Sequence, residues 1–444
     1  MFQKIKNLLK KHKNNIFVRM LFKMKQKYNN FKLKLENQKS IKRLKRLSKR
    51  KPIQDRKIRV VFVVVNSNTW NKLKSLYYEM LNNDKIDVKI VCCPEPYKED
   101  TSITYNYFKN NGYDCIDARV GEGPWNALEN KGKWFNLKNL EPDYVFYSEP
   151  YNIYLPKKYK SNEVSKYAKI CLTMYGMILS LKFMKDLKKS FFSDVYCYYA
   201  SNNDDKSVNE EYFKTAHDLK LQKTKNFGYL AFEDVIKNKN INSESWNFSK
   251  NKIRAIWTPR WTLDESVGGS NFFRYKDVLF DYANKNADID LLFRPHPMAF
   301  DNFIRTGKMT VEEVAEFKKK CEISKNINLD SQKEYNHTFW GSDFLITDNS
   351  SIIVEYFITG KPIIYCVTEN FEVEYLPYFK KLLSSCYIVN NEEELINKIN
   401  DLKENKDDLK ELRDKYISEI FGDDFESISK RITKDIVEDS MDKK

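Results

Sequence analysis

The chain has 444 residues, 41% of them hydrophobic and 14% aromatic, which suits two domains with sizeable cores and excludes general disorder. Its formal charge of +15 is unevenly placed: residues 1–51 hold 19 Lys and Arg against one acid, Glu36, so the remaining 393 residues carry −3. Eight cysteines without a C-x-x-C pair, and four histidines (His12, His217, His296 and His337), exclude a disulfide framework and a multi-histidine metal centre.

The first predicted element is a basic arm, 1–51, closed by Pro52. Ile5, Leu8 and Leu9, then Ile16, Phe17, Met20, Leu21 and Met24, recur at helical spacing with lysines between them. No apolar run of about 18 residues interrupts the lysines, so neither a membrane span nor a signal-peptide core is expected. Three readings fit the arm. A basic amphipathic helix on an anionic bilayer surface is preferred, a solvated tail or a helix packed on its own domain comes second, and a nucleic-acid arm is least favoured. The expected location is cytoplasmic, peripheral on the inner face of the cell membrane.

A first α/β domain is expected over 52–225. "IRVVFVVV", 58–65, is a continuous β-branched run of the kind buried parallel strands carry. A helix over 70–81 and strands at 86–93, 113–116, 144–147, 170–173 and 195–199 follow. "GEGPWN", beginning at Gly121, lacks the third glycine of a dinucleotide fingerprint and reads as a loop.

The pattern restarts in a second α/β domain, 226–444. A strand over 253–257 leads to a helix at 273–283 and a strand at 291–293. Within "LLFRPHPMAF", 291–300, two prolines hold His296 in an extended turn just past that strand, beside Arg294. An imidazole there can donate to a phosphate or move a proton, and the guanidinium can pair with a phosphate through its planar fork. Helices are expected at 311–320 and 334–340.

"FLITDNSSIIVEYFITGKPIIYC", 344–366, then reads as strand, helix, parallel strand, with Gly360 and Pro362 stopping the helix. Asp348, Asn349, Ser350 and Ser351 fall at the strand-to-helix join, the edge where open α/β sheets bind ligands and free amides attract phosphate. Asp348 or Ser350 as a simple helix cap is the plainer reading. Glu355 shares a helical face with Ser351, lies too far along for a capping box, and could accept ribose hydroxyls. Helices at 392–400 and 406–421 close the chain. Two such domains facing each other leave a cleft, a common ligand site.

"RPHP" followed about 50 residues later by "TDNSSIIVEYFITGKPIIY" resembles the C-terminal domain of the CDP-glycerol glycerophosphotransferase family, the teichoic-acid primases and polymerases. The resemblance covers about residues 143–370. "IWTPRWT", 256–262, resembles the strand and loop that open that domain, which adds Thr258 and Arg260 to the expected donor-binding residues. The resemblance implies a GT-B arrangement of two Rossmann-like domains, with a CDP-activated donor held mainly by the second. It puts His296 on a catalytic or phosphate-stabilising histidine, Ser350 and Ser351 on the donor phosphate turn, and Asp348 on the acidic residue before it. It also implies a peripheral membrane enzyme with a lipid-linked acceptor, in agreement with the arm.

Many members of the family it resembles carry a His-Gly pair in the N-terminal domain, its histidine proposed as a base, where this chain has Tyr175-Gly176 in "ICLTMYGMIL". A phenol with a pKa near 10 is a poor base at neutral pH. Glu149 in "YSEPY" is therefore the candidate base, with Tyr175 orienting acceptor or phosphate. The function expected is transfer of glycerol phosphate, or a related polyol phosphate, from a CDP-activated donor to a membrane-linked glycan or polyol-phosphate acceptor in surface-polymer synthesis. Arg294, Asp348, Ser350, Ser351, Glu355, Thr258 and Arg260 would hold the donor. No protein-borne metal site or cofactor is expected, although a divalent cation accompanying the diphosphate is compatible. The alternatives are a GT-B glycosyltransferase using a nucleotide sugar, and a non-catalytic membrane- or nucleic-acid-binding protein.

Overall fold

The computed structural model describes residues 16–181, 191–249, 252–264, 268–368 and 373–441. Two all-parallel sheets organise them. The first contains β1 (Ile58–Val64), β2 (Ile86–Cys92), β3 (Cys115–Asp117), β4 (Tyr144–Tyr147), β5 (Lys169–Thr173), β6 (Val195–Ala200) and β7 (Lys223–Asn226), in the order β3-β2-β1-β4-β5-β6-β7. The second contains β8 (Ile253–Thr258), β9 (Ile289–Phe293), β10 (Ile327–Leu329), β11 (Phe344–Thr347), β12 (Ile363–Cys366) and β13 (Tyr387–Val389), in the order β10-β9-β8-β11-β12-β13. The strand order reverses between β1 and β4 in one sheet and between β8 and β11 in the other, the doubly wound pattern expected.

The apolar runs that mark the strands are buried because helices cover both faces of each sheet. In the first sheet Phe62 stacks on Phe146 with ring centroids 5.1 Å apart, and in the second Trp257 lies parallel to Phe272 at 5.6 Å. The first core does not stop at the first sheet. It runs on through Phe339, Ile353, Val354 and Tyr356 of the second half, so buried apolar contact joins the two halves.

A helix over Ile428–Met441, not foreseen in the sequence, follows the helices that were expected to close the chain. Although it ends the segment assigned to the second domain, it packs on the first sheet. Ile428, Ile432 and Ile436 enter that core. Asp439 accepts from Tyr144 Oη and Tyr196 Oη, each at 2.7 Å, and pairs with Lys169 and Lys223. These donors and cations hold its carboxyl far below the usual range despite burial.

The arm is helical over Ile16–Leu47, and its first fifteen residues lie outside the described ones. Taken over its whole length, the sequence of this helix has almost no preferred apolar side, so the amphipathic pattern does not extend through it. Its last turns dock instead. Leu44 and Leu47 are buried, and Ser40 Oγ and Arg43 Nε reach Asp194 at 2.8 and 3.0 Å. Among the described residues no helix is long and apolar enough to cross a membrane.

Candidate active site

The two topological switch points face each other, and the loops at the carboxyl ends of β1, β4 and β5 meet those of β8, β9 and β11. On the second sheet, Thr347 Oγ1 donates to the Thr258 carbonyl at 2.8 Å, tying the ends of β11 and β8. Asp348 follows, buried, and accepts from the Arg260 amide at 2.7 Å and the Asn271 amide at 2.9 Å. Burial raises its pKa to about 6, against the pull of those amides and of the Arg260 charge. Both carboxylate oxygens are occupied, so Asp348 shapes the loops and does not itself face a ligand. Thr258 is likewise a buried strand end.

Arg260 bonds through Nη1 to the Asn349 carbonyl, while its Nε is buried without a partner among the described residues. It is a cation held in the cleft with donor capacity to spare. The Ser350 amide donates to the Asp348 carbonyl at 2.7 Å, which turns the chain into the short helix Ile352–Phe357. Ser351 precedes that helix and makes no side-chain capping bond. It is exposed, and a Cβ built on Gly176 would stand 3.6 Å from its Oγ. Asp348, bonded to the Arg260 and Asn271 amides, is not a simple cap of that helix either, and the Tyr175-Gly176 turn of the first sheet lies directly against Ser351 of the second.

His296 opens to solvent past β9, its ring 5.9 Å from that of Trp261. The Met298 amide donates to His296 Nδ1 at 3.1 Å, so the neutral ring carries its proton on Nε2. The walls of the cleft, then the charges of Arg260 and Arg294, lower its pKa below the ordinary imidazole value. Neutral at physiological pH, this imidazole offers an N–H donor.

Besides the donor contacts expected of Asp348 and Thr258, two further expectations are corrected. The planar fork of Arg294 does not point at a phosphate site: Nη1 pairs with the fully buried Asp330 at 2.5 Å, Nη2 donates to the Gln332 carbonyl at 2.7 Å, and the guanidinium lies over the Tyr335 ring. Glu355 does not offer free oxygens to a ribose. It forms a buried ion pair with Lys72 of the first half, Oε2 accepts from Tyr335 Oη at 2.8 Å, and Oε1 accepts from Tyr229 Oη at 3.3 Å. Its helical face is shared with Ser351 as the spacing indicated, but that face meets the other half of the molecule.

On the first sheet, Glu149 follows β4 and is buried. Thr69 Oγ1 stands 3.1 Å from its Oε1. Burial raises the Glu149 pKa to about 7, with Thr69 opposing and Glu95 adding a little. Tyr175 follows β5. Its amide donates to the Ser148 carbonyl at 3.1 Å, its carbonyl accepts from Tyr229 Oη at 2.9 Å, and its hydroxyl is 3.2 Å from Tyr151 Oη. Burial raises its pKa, so it stays a protonated phenol. Thr69, Lys72, Tyr151, Tyr229, Asn271 and Tyr335 were missed in the sequence, where nothing distinguishes them from other loop and helix residues. Among the described residues no group of three or more His, Cys, Asp or Glu side chains could hold a metal ion.

A family model described as CDP-glycerol:poly(glycerophosphate) glycerophosphotransferase matches residues 181–438, more than half of the chain. No curated protein matches in sequence. Among solved structures, the wall teichoic acid polymerase TagF is similar at 16% identity and a TM-score of 0.55, over 96% of this chain and 98% of that one. MnaA of S. aureus, solved with UDP, is similar at 12% identity and a TM-score of 0.57, over 86% of this chain and 96% of that one. The UDP-GlcNAc 2-epimerase of Neisseria meningitidis, bound to UDP-GlcNAc, is similar at 11% identity and a TM-score of 0.55, over 86% and 100%. At these identities the structures establish the shared two-sheet GT-B fold.

Proposed function

The chain belongs to the CDP-glycerol:poly(glycerophosphate) glycerophosphotransferase family, and on that premise we propose that it transfers glycerol phosphate from CDP-glycerol to a hydroxyl of a membrane-linked acceptor in the synthesis of a surface polymer such as teichoic acid. The observation that carries the reading is the approach of the Tyr175-Gly176 turn to Ser351 across paired switch points, with Tyr175 feeling the charges of both Glu149 and Arg260 and His296 in turn feeling Arg260.

The acceptor hydroxyl attacks the β-phosphorus of the donor. A new P–O bond forms to the acceptor oxygen, the bond from that phosphorus to the bridging oxygen breaks, and CMP leaves. Glu149 takes the proton of the attacking hydroxyl, since a base with a pKa near the working pH combines availability with driving force. Charge on the transferring phosphoryl oxygens is met by the Arg260 guanidinium, by the Nε2–H of His296 and by the hydroxyls of Ser350 and Ser351. The protonated Tyr175, fixed through Tyr151 and Tyr229, orients the acceptor. Asp348 acts through Arg260, whose amide it holds. The basic residues of 1–51 bring the enzyme to an anionic membrane at the cytoplasmic face, where each Lys or Arg near the surface contributes about 1 kcal/mol.

The test combines donor binding with transfer. CDP-glycerol at a hundred times its Kd stabilises the protein by about 2.7 kcal/mol, a readily visible shift in Tm. Arg260→Ala is expected to abolish most of that shift, and His296→Ala to lower CMP release by ~10²-fold or more. No stabilisation by CDP-glycerol, with a response to UDP-sugars, overturns the reading.

A further inference from the structure

Four tyrosines form a row that begins at the cleft and ends in solvent. Tyr175 lies beside Tyr151 with ring centroids 6.3 Å apart, Tyr151 beside Tyr154 at 5.3 Å, and Tyr154 beside Tyr97 at 5.7 Å. The inner end adjoins Glu149, whose charge acts on Tyr175, Tyr151 and Tyr154 alike. The outer end is open, with Tyr97 at 67% exposure.

Tyr97 also has φ 64°, in the left-handed region that a bulky residue rarely adopts. Glycine would hold this turn without strain, so a large ring kept here at a conformational cost points to use of the ring. Glu95, Lys98, Glu99 and Asp100 flank Tyr97 in the chain, and Glu95 lies within electrostatic reach of both Lys98 and Lys333. Lys98 stands 3.5 Å from Asp301, while Lys333 makes no ion pair among the described residues, donates to Ser67 Oγ at 3.0 Å and lies over the Tyr107 ring.

We propose that this row is the acceptor subsite, and that the acceptor it takes is a glycan: sugar rings lie along Tyr97 and Tyr154 and present a hydroxyl to Glu149. The inference rests on the transferase reading above. Sugar rings carry an apolar C–H face as well as hydroxyls, and tyrosine offers a matching apolar ring with a polar tip at little conformational cost. A linear polyol-phosphate chain has no such face and calls for a line of unanswered cations, whereas Lys98 at the outer end pairs with Asp301, Lys333 faces Glu95, and Arg260 at the inner end belongs to the donor site.

Saturation-transfer NMR on the full chain reads the subsite without donor, using the octyl glycosides of glucose, galactose and N-acetylglucosamine and a six-unit glycerol-phosphate oligomer as probes. Transfer to at least one glycoside and not to the oligomer is expected. Tyr97→Gly removes the ring and relaxes the turn, so its Tm should not fall. With Tyr154→Ala it should raise the KM for the glycoside at least tenfold while kcat and CDP-glycerol affinity are kept, and Tyr97→Phe should behave as wild type. No transfer to any glycoside, preference for the oligomer, or an unchanged KM in both ring-deleted variants overturns the proposal. Failure of CDP-glycerol to bind, with glycoside transfer intact, instead counts against the donor reading alone.

Discussion

Glu149 carries a conflict between stability and use. Its carboxyl is buried with Thr69 as its hydrogen-bond partner, and its pKa stands at about 7 against an ordinary 4.5. The folded protein therefore binds this proton more tightly than the unfolded chain, and stability falls as pH rises from about 4.5 to about 7. At 1.36 kcal/mol per pKa unit the cost at pH 8 is on the order of 3 kcal/mol. Catalysis needs the ionised form that folding disfavours. Glu149→Gln should thus raise Tm at pH 8, leave it nearly unchanged at pH 4, and lower kcat/KM by ~10²- to 10⁴-fold. In the wild type, kcat/KM should climb with pH through about 7 and then level. His296, whose pKa is lowered, titrates below that step, and the Tyr175 phenol lies above it. A flat profile from pH 5.5 to 8.5, or a Glu149→Gln variant no more stable at pH 8 than wild type, would remove Glu149 as the base.

At the scale of elements, the turn after β11 draws three segments together through one carboxylate. Asp348→Asn keeps the shape but supplies an amide that cannot accept from both the Arg260 and Asn271 amides, and one buried N–H is left facing a donor. A loss of about 1–3 kcal/mol in urea unfolding is expected, together with weaker CDP-glycerol binding as Arg260 loosens. Unchanged stability with unchanged affinity would show that the turn holds without it. This turn was legible because a short apolar strand, a polar cluster and a Gly-x-Pro stop each follow a local rule, and β1 was legible as a β-branched run. The edge strands β7, β10 and β13, which were not foreseen, are three or four residues long, and β7 reads Lys-Thr-Lys-Asn. Its lysines belong to no local pattern; they meet Asp439 and Asp435 of the last helix, more than 200 residues away in sequence. Spacing likewise put Glu355 correctly beside Ser351 but could not show that Lys72 and two tyrosines surround it. Contacts between the halves are the part that local periodicity does not encode.

Over the whole molecule, the pair of Lys72 and Glu355 is the polar centre of the joint between the two sheets. Lys72 ends the short helix Ser67–Lys72 that follows β1, Glu355 lies in the helix that follows β11, and Tyr335 and Tyr229 complete the hydrogen bonding. Burial alone would lower the Lys72 pKa, yet Glu355 and Tyr335 outweigh it and raise the value, so the ammonium is retained only while its partner is present. Glu355→Gln leaves a buried cation unpaired and should cost about 3–5 kcal/mol, whereas Lys72→Met together with Glu355→Gln should recover much of that loss, because desolvating two charges already offsets most of their attraction. The same helix start carries Ser350 and Ser351, and the same loop as Lys72 carries Thr69, so the joint sets the distance from base to phosphate site. The double variant, stable but without its polar register, should therefore lose kcat more than donor affinity. Full activity in the double variant would mean that the apolar contacts through Ile353, Val354 and Tyr356 align the two halves by themselves.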